Sequence, residues 1–172
     1  MERASHALAT GTGTWLVDPV DNPRVDELEN VAGVIQLLDR HNRDCAAIAG
    51  RLGVPHHERT GGPFEYLPVR DKRRWREAAL WWPERRVLVC AEALGTAAYY
   101  RAGDERLAVH PVLRLRPPRF GVQPEAILCG HGPGVFEGAE EALREALSTS
   151  RRRIPGQVVS AVRAWRNRAG AR

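Results

Sequence analysis

Short apolar runs alternate with polar knots along the chain, and the runs show two different periods. Residues 31–38 (VAGVIQLL) and 86–91 (RVLVCA) are nearly continuous apolar stretches with a β-branched bias, which predicts strands covered on both faces. Shorter runs at 14–18 (TWLVD), 54–57, 78–82 and 126–129 (AILC) predict further strands. Helical spacing appears in three places. Ala46, Ile48, Ala49 and Leu52 share a face of a helix predicted over 45–52. Ala139, Ala142, Leu143, Ala146 and Leu147 share a face of a second, with Glu137, Glu140 and Glu141 in its first turns and arginines 151–153 at its end. A last helix over about 157–167 turns Val158, Val162 and Trp165 towards a core.

The connections follow from turn chemistry. Asn22 and Pro23 open a short helix running to about Glu29, and residues 83–85 make a turn. Residues 96–101 form a helix turn or an edge element around Tyr99 and Tyr100. Residues 109–118 (VHPVLRLRPP) are expected to be extended, because each proline pushes its predecessor out of the helical region. The prolines, glycines and charges of residues 60–75 read as hairpins or loop. Strands interleaved with helices predict one α/β layered domain over residues 1–172, with a basic helical tail at 151–172 packed on it.

Three polar clusters each follow directly on a short apolar strand: DRHNRDC after Leu38, CAEALG after Val89 and CGHGPG after Leu128. Loops leaving one edge of a sheet converge on a common pocket, so these clusters are the candidate site. His110 is a further candidate for the same pocket, and the pair His56-His57 reads as exposed at a strand end. Of the three cysteines, Cys90 and Cys129 read as buried strand-end residues, while Cys45 is the one to consider as a ligand or nucleophile. Trp81 and Trp82 alternate across a strand, which leaves at least one available to a partner.

Composition narrows the classes. An odd, scattered set of three cysteines suits a reducing compartment, and neither a signal-peptide core nor a ~20-residue apolar span is present, so a cytoplasmic protein without a membrane partner is expected. The net charge of +5 is misleading. Residues 151–172 hold seven arginines and no acid, whereas the preceding 150 residues carry 19 basic against 21 acidic groups. Those arginines lie mostly opposite Val158, Val162 and Trp165, as on a solvated helix face. Nucleic acid is therefore not the expected partner.

The segments DRHNRDCAAIAGRLGVP, RVLVCAEALG and ILCGHGPGV, in that order, resemble the metallo-β-lactamase superfamily. The resemblance covers about residues 14–150, with Asp18 on a strand where that family often has aspartate, and it implies a four-layered αββα sandwich with its site at one edge of two sheets. The family's His-x-His-x-Asp-His motif falls on Arg40, Asn42, Asp44 and Cys45, its second-loop aspartate on Glu92, and its final histidine on His131. Its intermediate histidine should lie near residues 68–75, where there is none. His41, between the lost positions, should point away from them.

By this resemblance one metal site has lost its nitrogen ligands, and a second could still be assembled from Asp44, Cys45, Glu92 and His131. Against it stands Arg40, a fixed cation where a metal dication would sit, able to neutralise Asp44 or Glu92. The favoured reading is a degenerate, metal-free site in a ligand-binding or assembly module, with a small-molecule ligand or a second copy of the chain as partner. The alternatives are a hydrolase with one zinc or similar divalent ion, with Asp44, His131 and His110 as its catalytic residues, and a nucleic-acid-associated protein using the arginine-rich tail.

Overall fold

Two four-stranded sheets share one core in a computed structural model that describes residues 3–157, the side chains of Asn42 and Arg43 excepted. The first contains β1 (His6–Thr10), β2 (Gly13–Val17), β3 (Val31–Gln36) and β4 (His56–Glu58) in that spatial order. β1 and β2 are antiparallel, and β2, β3 and β4 run parallel. The second contains β5 (Glu65–Lys72), β6 (Trp75–Trp82), β7 (Val87–Cys90) and β10 (Ala126–Cys129), ordered β10-β7-β6-β5. A small antiparallel ribbon, β8 (Leu94–Gly95) with β9 (Ala108–Val109), lies between β7 and β10 in sequence. Helix α1 (Asn42–Leu52) packs on β3 and β4, and α2 (Ala139–Thr149) on β9 and β10. The layers are helix, sheet, sheet, helix, the αββα arrangement expected.

The apolar run at 31–38 is continuous because both faces of β3 are covered. Val34 turns outward to meet Leu16, Cys45, Ile48 and Ala49 beneath α1, while Ile35 turns inward to the core between the sheets. Each aliphatic side chain buried in this way contributes about 1.5–3 kcal/mol. In α1 it is Cys45 rather than Ala46 that joins Ile48 and Ala49, and Ala46 is exposed. The helix stops at Gly53, whose φ of +67° lets its N–H reach back to the Ala49 and Gly50 carbonyls.

Several expectations are corrected. Residues 60–75 contain the eight-residue strand β5, which pairs along most of β6 with a bulge between Pro68 and Arg70. The helix predicted from Pro23 is only a 3-10 turn, Pro23–Val25, capped by Asn22. Within the segment expected to be extended, Pro111–Leu113 forms a 3-10 turn, because proline fits the first helical position and the His110 side chain accepts from Val112 N at 3.2 Å. Trp81 and Trp82 are both buried, so neither is offered to a partner: the sandwich covers both faces of β6. His56 and His57 are half-buried, with His56 against Gln36 Oε1 at 3.0 Å and His57 against the Trp15 ring. The helix expected over 157–167 lies, except for Gln157, outside the described residues.

One buried ion pair fastens the long connection between β8 and α2. Arg114 donates through both terminal nitrogens to the two carboxylate oxygens of Glu105, at 3.0 and 2.7 Å, and through Nη2 to Tyr100 O at 2.7 Å. Both side chains are almost entirely buried. Among the described residues no helix is long and apolar enough to cross a membrane.

Candidate functional site

The three strand-end clusters do meet at one edge of the sandwich, and the first contact there is between Arg40 and Glu92. Arg40 sits in a 3-10 turn, Asp39–His41, that leads from Leu38 into α1, and its Nη2 donates to Glu92 Oε2. The guanidinium carbon also lies 5.0 Å from the centroid of the Trp75 ring, with Arg70 approaching the same ring at 5.7 Å. Half-exposed ion pairs are worth little by themselves. Here an aromatic face backs the cation, and a buried group fixes both of its partners.

That buried group is Glu77 on β6, which nothing in the motif order singled out. Glu77 Oε1 accepts from Glu92 N and Ala93 N, each at 2.8 Å, and Oε2 accepts from Trp75 Nε1 at 2.7 Å. One carboxylate thus holds the Glu92 backbone and the Trp75 ring, the two surfaces against which Arg40 rests. Burial pushes the Glu77 carboxyl up to about 7, while its three donors oppose the rise. A signal existed in the sequence: Glu77 is the one acid inside the otherwise apolar strand end EAALWW.

His110 joins this group through its rings. It stands edge-on to Trp75 at 4.7 Å and to Tyr100 at 5.4 Å, with Tyr99 at 5.9 Å. Burial, then the charges of Arg40 and His131, pull the imidazole down to about 4. It is neutral near pH 7 and a weak base, with Nδ1 accepting from Val112 N, which assigns its proton to Nε2. His131 is buried beside the Tyr100 ring at 5.8 Å, and its carbonyl accepts from Thr96 N and Ala97 N at 3.1 and 3.3 Å. Tyr100 closes the cluster by donating its hydroxyl to Glu92 O at 3.2 Å. This ring cluster of Trp75, Tyr100 and His110 was not foreseen from the sequence.

The remaining candidates make other contacts. Asp44, in the first turn of α1, accepts from Arg3 Nη1 at 3.2 Å. Cys45 is fully buried under α1, where burial and the nearby charge of Asp18 push its thiol up to about 12. His41 turns inward, its Nδ1 3.2 Å from Asp18 Oδ1, and Asp18 accepts from Leu37 N at 3.0 Å. Cys90 and Cys129 face each other in register on β7 and β10 and are buried.

A divalent ion of the kind the sequence resemblance implies needs at least three well-placed donors. Among the described residues no three histidine, cysteine, aspartate or glutamate groups stand together to hold one. The donor set does not fit: Glu92 takes the Arg40 guanidinium, Asp44 takes Arg3, and the Cys45 thiol is in the apolar layer beneath α1.

Among solved structures, the chain is similar to a metallo-β-lactamase from Pontibacter korlensis, with 15% identity, 87% of each chain covered and a TM-score of 0.53. At that identity the likeness shows the fold, and the fold is metallo-β-lactamase-like. No protein-family model matches the sequence. No curated protein matches it either.

Proposed function

We propose that this chain is a metallo-β-lactamase-fold protein whose metal position is occupied by its own Arg40–Glu92 pair, and that it works as a non-catalytic ligand-binding or assembly module. The observation that carries the reading is the Arg40 guanidinium seated on the Glu92 carboxylate and over the Trp75 ring. A permanently charged side chain supplies the cation that this edge of the fold would otherwise take from solution. Hydrolysis by a metal-bound water needs the ion to lower the pKa of that water. The residues here offer no substitute for that step: His110 is a weak neutral base, and the Cys45 thiol is buried and protonated.

Metal content tests the reading directly. Protein purified without chelator, then dialysed against excess zinc and back into metal-free buffer, is expected to hold far less than one equivalent by elemental analysis. One equivalent of zinc, manganese or iron that disappears in Asp44→Ala would overturn this reading in favour of a mononuclear metal site.

A further inference from the structure

Away from the strand-end site, segment 116–121 faces the C-terminal half of α2 and Arg151 across an open cleft of about 720 Å³, whose walls carry four arginines and no acidic residue among the described residues. Arg116 and Arg119 project from one wall, on either side of Pro117 and Pro118. Arg144 and Arg151 project from the other. Among the described residues Arg144 pairs with Glu141 in an exposed contact at 3.1 Å, and Arg151 donates from Nε to Leu115 O at 2.9 Å. Arg116 and Arg119 make no ion pair with any described residue.

The carbonyl end of α2 offers partial negative charge to Arg151, whereas Arg144 stands in the middle of the helix beside Glu141. It does nothing for Arg116 and Arg119 on the facing wall. Four like charges around one concavity, of which only Arg144 has an acidic partner among the described residues, raise a positive potential, and a concave wall focuses that field. The two prolines limit the backbone freedom of the wall that carries Arg116 and Arg119, so engaging those arginines costs little backbone ordering.

We infer that this cleft binds a run of linked phosphates, as in a nucleic-acid backbone or a free oligophosphate. Guanidinium forks pair bidentately with phosphate oxygens, and four of them on two walls suit a ligand carrying several such groups. Among the described residues lining the cleft the one aromatic, Phe120, is buried and offers no ring for stacking on a base. Recognition therefore reads phosphates and ignores base identity.

The test uses the full chain, a fluorescein-labelled mixed-sequence 20-mer DNA duplex followed by anisotropy, and tripolyphosphate followed by calorimetry, across a salt series. Two variants remove equal charge: R116Q/R119Q in the cleft, and R73Q/R74Q, two exposed arginines in the turn between β5 and β6. Loss of two phosphate contacts is expected to weaken duplex binding about 60-fold at 0.1 M salt and to lower the salt slope by about 2. R73Q/R74Q should bind as the parent does. Binding of the duplex alone would name the nucleic-acid backbone as the source, and binding of tripolyphosphate with the same variant pattern would name the free anion. Absence of binding to both probes, or an equal loss in the two variants, overturns the proposal; equal loss would mean attraction to net charge alone. Melting temperatures of both variants, expected to match the parent, guard against loss through unfolding.

Discussion

Replacing Glu77 by glutamine separates the charge of this buried carboxyl from its shape. In the folded protein the group titrates at about 7 instead of the ordinary 4.5, with burial as the largest cause. A folded-state pKa raised above the unfolded one favours folding at low pH, and that advantage disappears as pH rises through the folded value. At 1.36 kcal/mol per pH unit the whole effect is about 3.4 kcal/mol, of which about 2.5 kcal/mol falls between pH 5 and pH 8. The parent stability curve does not show this cleanly. His110, pulled down to about 4 from 6.5, contributes in the opposite sense, its stabilisation being lost as pH falls through that range.

The difference between the parent and Glu77→Gln cancels the histidine contribution. Urea unfolding of both proteins at half-unit steps from pH 5 to pH 8 is therefore the assay. The glutamine amide cannot accept from Trp75 Nε1 while its carbonyl serves Glu92 N and Ala93 N, so the variant carries a fixed cost of about 1–3 kcal/mol. On top of that offset, the parent should lose about 2.5 kcal/mol relative to the variant between pH 5 and pH 8. A difference constant to within the error of extrapolation would refute a carboxyl whose charge is opposed by burial, and would mean that its three donors fully compensate.

Arg114→Ala leaves Glu105 buried without its partner and should cost about 3–5 kcal/mol in urea unfolding, whereas the double variant R114M/E105M should recover most of that loss. A single-variant cost near zero would show that the pair does not fasten the 100–114 segment. Gly130→Ala places a Cβ 2.2 Å from the Ala91 carbonyl oxygen, a backbone atom that cannot swing aside. A cost of about 1–3 kcal/mol is expected, read as a lowered melting temperature. All three cysteines are buried, and the thiols of Cys45 and Cys129 are pushed up to about 12, so a thiol reagent at pH 8 should react with none in the native protein and with all three in urea.

What could be read from the sequence depended on how local the physical signal was. β3 and β7 were legible because strands covered on both faces must be apolar at every position, and α2 because its buried face repeats at helical spacing. β5 hid its identity because it is an edge strand. Pro68, Arg70, Asp71 and Lys72 are tolerated where a missing N–H or a charge can face solvent, and a bulge breaks the period just there. The same logic explains the misreading of Trp81 and Trp82, since strand alternation tells which face a residue takes but not whether that face is covered.

The site divides along the same line. Motif order brought Arg40, Glu92 and His131 to one edge of the fold, and the pairing of Arg40 with Glu92 follows from charge once they are neighbours. Glu77 was passed over, because an acid in a strand ordinarily marks a solvated face, and two of its three donors lie 15 and 16 residues away. A carboxylate costly to bury is retained where three donors converge on it, and through them it sets both surfaces that receive Arg40. The Arg40 guanidinium is thus supported by a scaffold on β6 and in the loop after β7, and exchanging Arg40 for histidine would change one side chain while leaving that scaffold in place.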